Sequence, residues 1–272
     1  MRQQSSVLKK TPLLVREGRG PALGSVGRAA IALLARETPI LLRVDGLERV
    51  DVLGAKDGLF RFDAETPREL QQRWEFHIPR DPEYDEPDDG IIRKAKTDWK
   101  VFLHYRRDLR AHLHARNVTL LPWQEEWFAS CERIHIACTN SLVELAGKMD
   151  LMRPGYRFAE RVHAAMDQHV LRILKYEPRE GDLARCHTDR CAVTFHIAES
   201  ADGLHSRQGW DWMPVKTPLS PGVLCFSGKQ LESVTEGAVP ALYHEVVDTT
   251  GGSRARWAMV FFGKMRKDPG MY

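Results

Sequence analysis

From residue 169 onward the chain breaks into short β-rich runs with turn residues between them. The runs cover 170–176, 191–198, 210–215, 222–227, 241–247 and 256–263. The turns carry Pro178-Arg179-Glu180-Gly181, Ala201-Asp202-Gly203, Ser220-Pro221-Gly222 and Gly251-Gly252. Several short strands with regular turns predict a β-sandwich or barrel. This half of the chain sets the fold class, because each strand buries one face only by finding partners among the others.

The preceding half reads differently. Residues 25–37 predict a helix that Ser25 caps, with Val26, Ala29, Ala30, Leu33 and Leu34 on one face. Pro39 stops it, and 40–44 is a short apolar strand. Thr66-Pro67-Arg68-Glu69 has capping-box spacing with proline at the first helical position, so a second helix is expected there. Residues 81–90, DPEYDEPDDG, read as an acidic surface loop. From Pro122, the residues Trp127, Cys131, Ile134, Cys138, Leu142 and Leu145 recur at spacings of four and three. That is an amphipathic helix running to about Asp150. His135 lies beside its apolar stripe and reads as structural, and a shorter helix covers 158–168. The expected architecture is α+β: a mainly β core at 169–264, with helices of the first half on its outer face. We expect one domain over 1–272, in which 1–20 is a loose basic arm and 25–168 supplies the substrate lid.

Composition narrows the function classes. In 272 residues, 43% are apolar and 28% charged, which suits a globular core and not a disordered chain. No apolar run approaches a membrane span, and 1–20 lacks the apolar core of a signal peptide, so a cytoplasmic protein is expected. The net charge of +3 is too balanced to argue for nucleic acid. The most basic stretch is 93–116; its bland reading is a solvated face, its sharper one a wall that attracts an anionic small-molecule substrate. Five cysteines, an odd count, fit reduced thiols.

Chemistry concentrates at Arg185-Cys186-His187-Thr188-Asp189-Arg190-Cys191. His187 and Asp189 are two residues apart, so on a strand both reach one ion. The triplet alone is weak evidence. A strand-borne histidine, His244, follows in the run 241–247. Two imidazoles and one carboxylate with open positions form the ligand set of non-haem Fe(II) oxygenases. In the last run, an arginine entering a buried strand needs an anionic partner. Its planar fork suits a carboxylate such as the far end of 2-oxoglutarate. Zinc held by Cys186, Cys191 and His187 lacks the second ligand pair of a closed site, so the cysteines read as neighbours.

These pieces resemble, in order, the isopenicillin N synthase-like branch of the Fe(II)/2-oxoglutarate-dependent oxygenases. Leu174-Lys175-Tyr176-Glu177-Pro178 resembles the tyrosine-proline strand, and His187-Thr188-Asp189 with Ala192-Val193-Thr194-Phe195 resembles the His-Thr-Asp motif and its next strand. Trp210 to Pro214, Pro221 to Gly228, Thr235-Glu236-Gly237, His244-Glu245-Val246-Val247 and Arg256-Trp257-Ala258-Met259-Val260-Phe261-Phe262 follow suit. The resemblance covers about 170–264. It implies a double-stranded β-helix (jelly roll) with iron on His187, Asp189 and His244. It also implies Arg256 at the far carboxylate of 2-oxoglutarate and Tyr176 at its near end. Dioxygen is the further co-substrate, and the expected outcome is hydroxylation of a C–H bond of an amino acid, peptide or natural-product intermediate, with succinate and carbon dioxide released. Two positions depart from the pattern: the serine two residues after the arginine is Ala258, and the aspartate after the turn glycine is Lys229. Arg254 is the runner-up clamp. The rival readings are an iron-dependent oxidase or cyclase that does not use 2-oxoglutarate, and a non-catalytic jelly-roll binding protein.

Overall fold

A computed structural model of the protein describes residues 26–36, 39–76, 89–94, 100–178, 182–217 and 222–267. Ser25, the arm 1–20 and residues 81–88 of the acidic stretch lie outside the described residues.

Eight consecutive strands build the core: β5 (Val170–Tyr176), β6 (Asp182–His187), β7 (Val193–Glu199), β8 (Leu204–Gln208), β9 (Asp211–Pro214), β10 (Gly222–Ser227), β11 (His244–Val247) and β12 (Arg256–Gly263). They divide between two antiparallel sheets. One contains the run β10-β7-β12-β5, the other the order β6-β11-β8-β9. Apart from β8 and β9, successive strands alternate between the two sheets, which is the winding of a jelly roll. The expected fold class holds.

The first half contributes more than helices. Strand β1 (Ile40–Arg43) pairs with β10 at one edge of the larger sheet. Strands β2 (Glu75–Phe76), β3 (Asp89–Lys94) and β4 (Lys100–Tyr105) extend its other edge beyond β5. Among the described residues the larger sheet therefore has eight strands. Part of the basic stretch 93–116 is strand β4, and its residues Val101, Leu103 and Tyr105 are core.

The helices are α1 (Val26–Leu34), α2 (Arg49–Glu65), α3 (Arg68–Gln71), α4 (Leu109–Ala115), α5 (Pro122–Met152), α6 (Phe158–His163) and α7 (Lys229–Val234). Helix α5 is central. It opens with proline at its first position, where the missing N–H costs nothing, and the Gln124 side chain accepts the Leu121 N–H at 2.9 Å. Its predicted stripe is buried: Trp127, Cys131, Ile134, Cys138, Leu142 and Leu145 all sit in the main core. His135 is buried on the same helix and its Nε2 donates to the His169 carbonyl at 3.1 Å. Burial pushes its pKa down to about 4 against that hydrogen bond, so it is a neutral core group.

Two helical expectations change. Helix α2 was not foreseen, although Val52, Ala55, Leu59 and Phe62 form its buried face. Glycines at 54 and 58 and a charged sequence mask that period. Gly58 is where α2 meets α5: a Cβ there would lie 2.1 Å from the Trp127 ring. Thr66 does not cap a following helix; it ends α2, its N–H donating to the Phe62 carbonyl at 3.1 Å. The helix after it, α3, is a single short turn with no side-chain cap.

The main apolar core lies between the helices and the larger sheet, outside the jelly roll. Alternation along each strand shows this. Leu171 and Ile173 of β5, Val193, Phe195 and Ile197 of β7, Val223 and Cys225 of β10, and Met259 and Phe261 of β12 point into it. The alternate residues face the space between the two sheets. These include Arg172, Leu174 and Tyr176 of β5, Thr194 and His196 of β7, and Arg256, Ala258 and Val260 of β12. With both faces of the larger sheet covered, β12 is buried at every position but Trp257. Among the described residues no helix is long and apolar enough to cross a membrane.

Candidate metal centre

His187 ends β6 and His244 begins β11, and the two are directly opposed in the antiparallel pair. Cross-strand pairing thus brings together residues far apart in sequence, with ring centroids 4.3 Å apart. Asp189 lies two residues beyond the end of β6. Its Oδ1 is 3.7 Å from His187 Nε2 and 3.8 Å from His244 Nε2. One ligand atom from each of the three falls within 4.8 Å of the others.

The surroundings aim these atoms. The Nδ1 of His187 donates to the Arg185 carbonyl at 2.7 Å, and the Nδ1 of His244 to the Leu242 carbonyl at 3.2 Å. Each imidazole therefore turns its Nε2 lone pair toward the carboxylate. The Thr194 hydroxyl donates to Asp189 Oδ2 at 2.6 Å, which leaves Oδ1 to face the histidines. Burial pushes the Asp189 carboxyl pKa up, but the two imidazoles, the Thr194 hydroxyl and Arg172 outweigh it and hold it below the usual value. Burial also lowers the His244 imidazole, against the pull of Asp189. An ionised carboxylate and an available imidazole are the states a cation requires.

The loop carrying Asp189 is clamped from behind. The Lys229 N–H donates to the Asp189 carbonyl and the Gly228 N–H to the Ala192 carbonyl, both at 2.8 Å. Gly228 is required for this approach: a Cβ there would lie 2.2 Å from the Cys191 carbonyl oxygen and 2.9 Å from that of Asp189. Lys229, where the sequence departs from the expected aspartate, begins α7 and pairs with Glu232 at 2.5 Å. Cys191 is buried, with its Sγ 3.1 Å from the Thr194 hydroxyl, while Cys186 is exposed; neither joins the ligand cluster.

The donor set fits Fe(II). Bonds of about 2 Å to atoms so spaced are reachable by one ion. One carboxylate and two imidazoles are the donor set of non-haem Fe(II) sites, which would leave room for co-substrates. All three residues line a cavity of about 440 Å³ between the sheets.

Arg256 lies in the wall of that cavity, buried at the start of β12 and paired in register with Tyr176 of β5. Arg254 is exposed. Tyr176 is also a wall residue, with the Lys100 ammonium 5.8 Å from its ring. The guanidinium of Arg256 is engaged in a way the sequence did not announce. Its Nη2 forms an ion pair with buried Glu199, and its Nη1 donates to the Val247 carbonyl at 3.3 Å. It packs against Gly203, where a Cβ would be 2.5 Å from Nη1.

Glu199, paired with the wall residue Arg256, and His196, in the wall itself, are residues whose place the sequence did not reveal. His196 reads as an ordinary strand histidine, yet it faces the cavity with its Nε2 3.4 Å from Glu199. Glu199 should face the helices by simple alternation. A β-bulge reverses it: Met259 opposes Ala198 while the next residue, Val260, opposes His196. The extra residue turns Glu199 inward. Arg172 is a third such residue. Its guanidinium lies 5.0 Å from the Phe102 ring and 4.7 Å from the Phe262 ring, and its Nε donates to His104 Nε2 at 2.7 Å. Its signal was visible as one of two charges, with Lys175, in the otherwise apolar run 170–176. Trp210, expected in a strand, is instead exposed beside the Arg207 guanidinium.

A jelly roll with two histidines and a carboxylate at one end of its interior is the arrangement of the non-haem Fe(II) oxygenases. Comparison with known proteins is specific about that class. Residues 167–264 match the model of the 2OG-Fe(II) oxygenase superfamily. Fe(II), 2-oxoglutarate and dioxygen are the cofactor and co-substrates of such enzymes. Among solved structures, the chain is similar to a full-length Neurospora crassa protein in complex with alpha-KG and 5-formyluracil. The identity is 15%, with 88% of this chain and 79% of that one covered and a TM-score of 0.69. It is also similar to the dioxygenase for auxin oxidation 1 of Arabidopsis thaliana in its 2-oxoglutarate complex (12% identity, 89% and 90% covered, TM-score 0.66). The dioxygenase for auxin oxidation of rice resembles it in the same way (18% identity, 88% and 77% covered, TM-score 0.64). These likenesses establish the fold. No curated protein matches the sequence.

Proposed function

We propose that this protein is an Fe(II)- and 2-oxoglutarate-dependent dioxygenase that hydroxylates a C–H bond of a small, anionic molecule. The observation that carries the reading is the convergence of His187, Asp189 and His244 on one point of the inter-sheet cavity. In this reading His187 and His244 donate their Nε2 atoms to the metal and Asp189 donates Oδ1. Thr194 keeps the other carboxylate oxygen occupied, so Asp189 binds through one atom. When bound, Fe(II) and 2-oxoglutarate supply the oxidising power of dioxygen to the substrate, with succinate and carbon dioxide released. Tyr176 and Arg256 are the co-substrate contacts, in the wall away from the loop 188–190. Leu174, Phe226, Val246 and Val260 give the cavity apolar surface that excludes water and positions a target carbon.

An anionic substrate is supported by the cations on the wall. Lys100 and Arg172 sit on the β4–β5 side, and Arg185 and Arg190 flank the metal loop. Arg172 between two rings is pre-oriented, and its fork suits a carboxylate. The similar Neurospora crassa protein has also been crystallised with thymine, a ligand small enough for a cavity of this size. We further read the described residues as one domain, since β1 to β4 share a sheet with the jelly-roll strands. A cytoplasmic location is supported by five free cysteines.

The engagement of Arg256 by Glu199 favours one rival, an iron oxidase or cyclase that takes no 2-oxoglutarate. The test is succinate release from 2-oxoglutarate by Fe(II)-loaded protein across a panel of small carboxylic acids, with mass detection of the product. Stimulated succinate release that disappears in Asp189→Ala is expected. An oxidised product without succinate selects the rival, and absence of both overturns the enzymatic reading.

A further inference from the structure

Resting on the 2-oxoglutarate reading, we infer that Glu199 is an internal competitor of the co-substrate at Arg256 and thereby sets how tightly 2-oxoglutarate binds. The geometry comes first. The Glu199 and Arg256 side chains are 4% and 2% exposed and joined by an ion pair. Glu199 is no stray surface acid. Its Oε1 accepts the Thr217 hydroxyl at 2.5 Å, and His196 lies 3.4 Å from its Oε2. The bulge between Met259 and Val260 is what turns it inward.

The consequence follows from the donor inventory of one guanidinium. Arg256 offers five N–H groups on three nitrogens. Nη2 is held by Glu199 and Nη1 by the Val247 carbonyl, while Nε has no hydrogen-bond partner among the described residues. A carboxylate gripped by both tines of the fork needs two adjacent nitrogens. The two available pairs, Nε with Nη2 and Nη1 with Nη2, both include Nη2, which is held by a full negative charge. The far carboxylate of 2-oxoglutarate must displace Glu199 or share the arginine with it, against like-charge repulsion in a buried site. Ala258 offers no hydroxyl in compensation. Far-carboxylate recognition is thus weakened by the build of the wall, and occupancy of the site follows the supply of 2-oxoglutarate over a higher concentration range than a free arginine would set.

Calorimetric titration of anaerobic, Mn(II)-loaded protein reads this without turnover. The probes are 2-oxoglutarate and 2-oxopentanoate, which has the same chain without the far carboxylate. Glu199→Gln keeps the shape and the contact to Thr217 but removes the charge. It is expected to tighten 2-oxoglutarate about 10-fold or more, the scale of one hydrogen bond to a charged group, and to leave 2-oxopentanoate unchanged. Equal 2-oxoglutarate affinity in both proteins, or weaker binding by the variant, overturns the inference while leaving the co-substrate reading intact. No binding of 2-oxoglutarate to either protein overturns both. Should Glu199→Gln fail to fold, the wild-type protein decides alone: a preference for 2-oxoglutarate over 2-oxopentanoate below about 10-fold is expected, and a larger one overturns the inference.

Discussion

Asp189 shows how packing prepares a single residue for the ligand role we propose. A buried carboxylate is costly unless each oxygen has a partner. Here Thr194 takes one oxygen and two imidazoles face the other. Removing the hydroxyl should release the carboxylate from this orientation without touching a ligand. Thr194→Val is nearly isosteric, and we expect it to weaken Fe(II) binding about 10- to 100-fold, the usual range for partners that orient a ligand. Competitive metal titration checks this, and a change below about 3-fold would show that Thr194 does not position Asp189. At this scale much was legible in the chain. His187 and Asp189 are two apart, so one local conformation serves both. His244 stood out as a strand-borne histidine. Glu199 was invisible, since its direction depends on a bulge formed with another strand.

Elements were legible where their periods were clean. The stripe on α5 and the apolar run of β12 gave both elements almost to their ends. Helix α2 was missed because its helical signal is weak and its fit is tertiary. Asp51 is buried against Arg133 of α5, with the ion pair at 2.7 Å, and Asp63 holds Lys175 of β5 at 2.7 Å. Gly58 lets the Trp127 ring lie on the helix backbone, and the indole N–H donates to the Ala55 carbonyl at 2.8 Å. Gly58→Ala would raise helix propensity in isolation. In this packing the new methyl has no space, so the variant should lose about 1–3 kcal/mol of stability in urea unfolding. A neutral or stabilising result would mean that α2 is not pressed against Trp127.

The whole molecule separates support from chemistry. Its large apolar core lies between helices and sheet, while the jelly-roll interior keeps a cavity of mixed polar and apolar lining around His187, Asp189 and His244. An ion held by His187, Asp189 and His244, which come from two strands and a loop, would also cross-link the smaller sheet. Binding to the folded state alone should stabilise it by RT ln(1 + [M]/Kd), about 2.7 kcal/mol at a metal concentration 100 times Kd. Anaerobic thermal unfolding should therefore show a higher Tm with Fe(II), reversed by a chelator and absent in Asp189→Ala. An equal rise in that variant would place the stabilising site elsewhere. What the chain determined by itself was local: strand and helix periods, turn residues, and a histidine and carboxylate two positions apart. These depend only on backbone geometry over a few residues. What the tertiary structure alone decided was the cross-strand register that sets His187 directly opposite His244, the inward turn of Glu199, and the occupation of Arg256. Each is fixed by register and packing between segments far apart in sequence, for which no short stretch carries a signal.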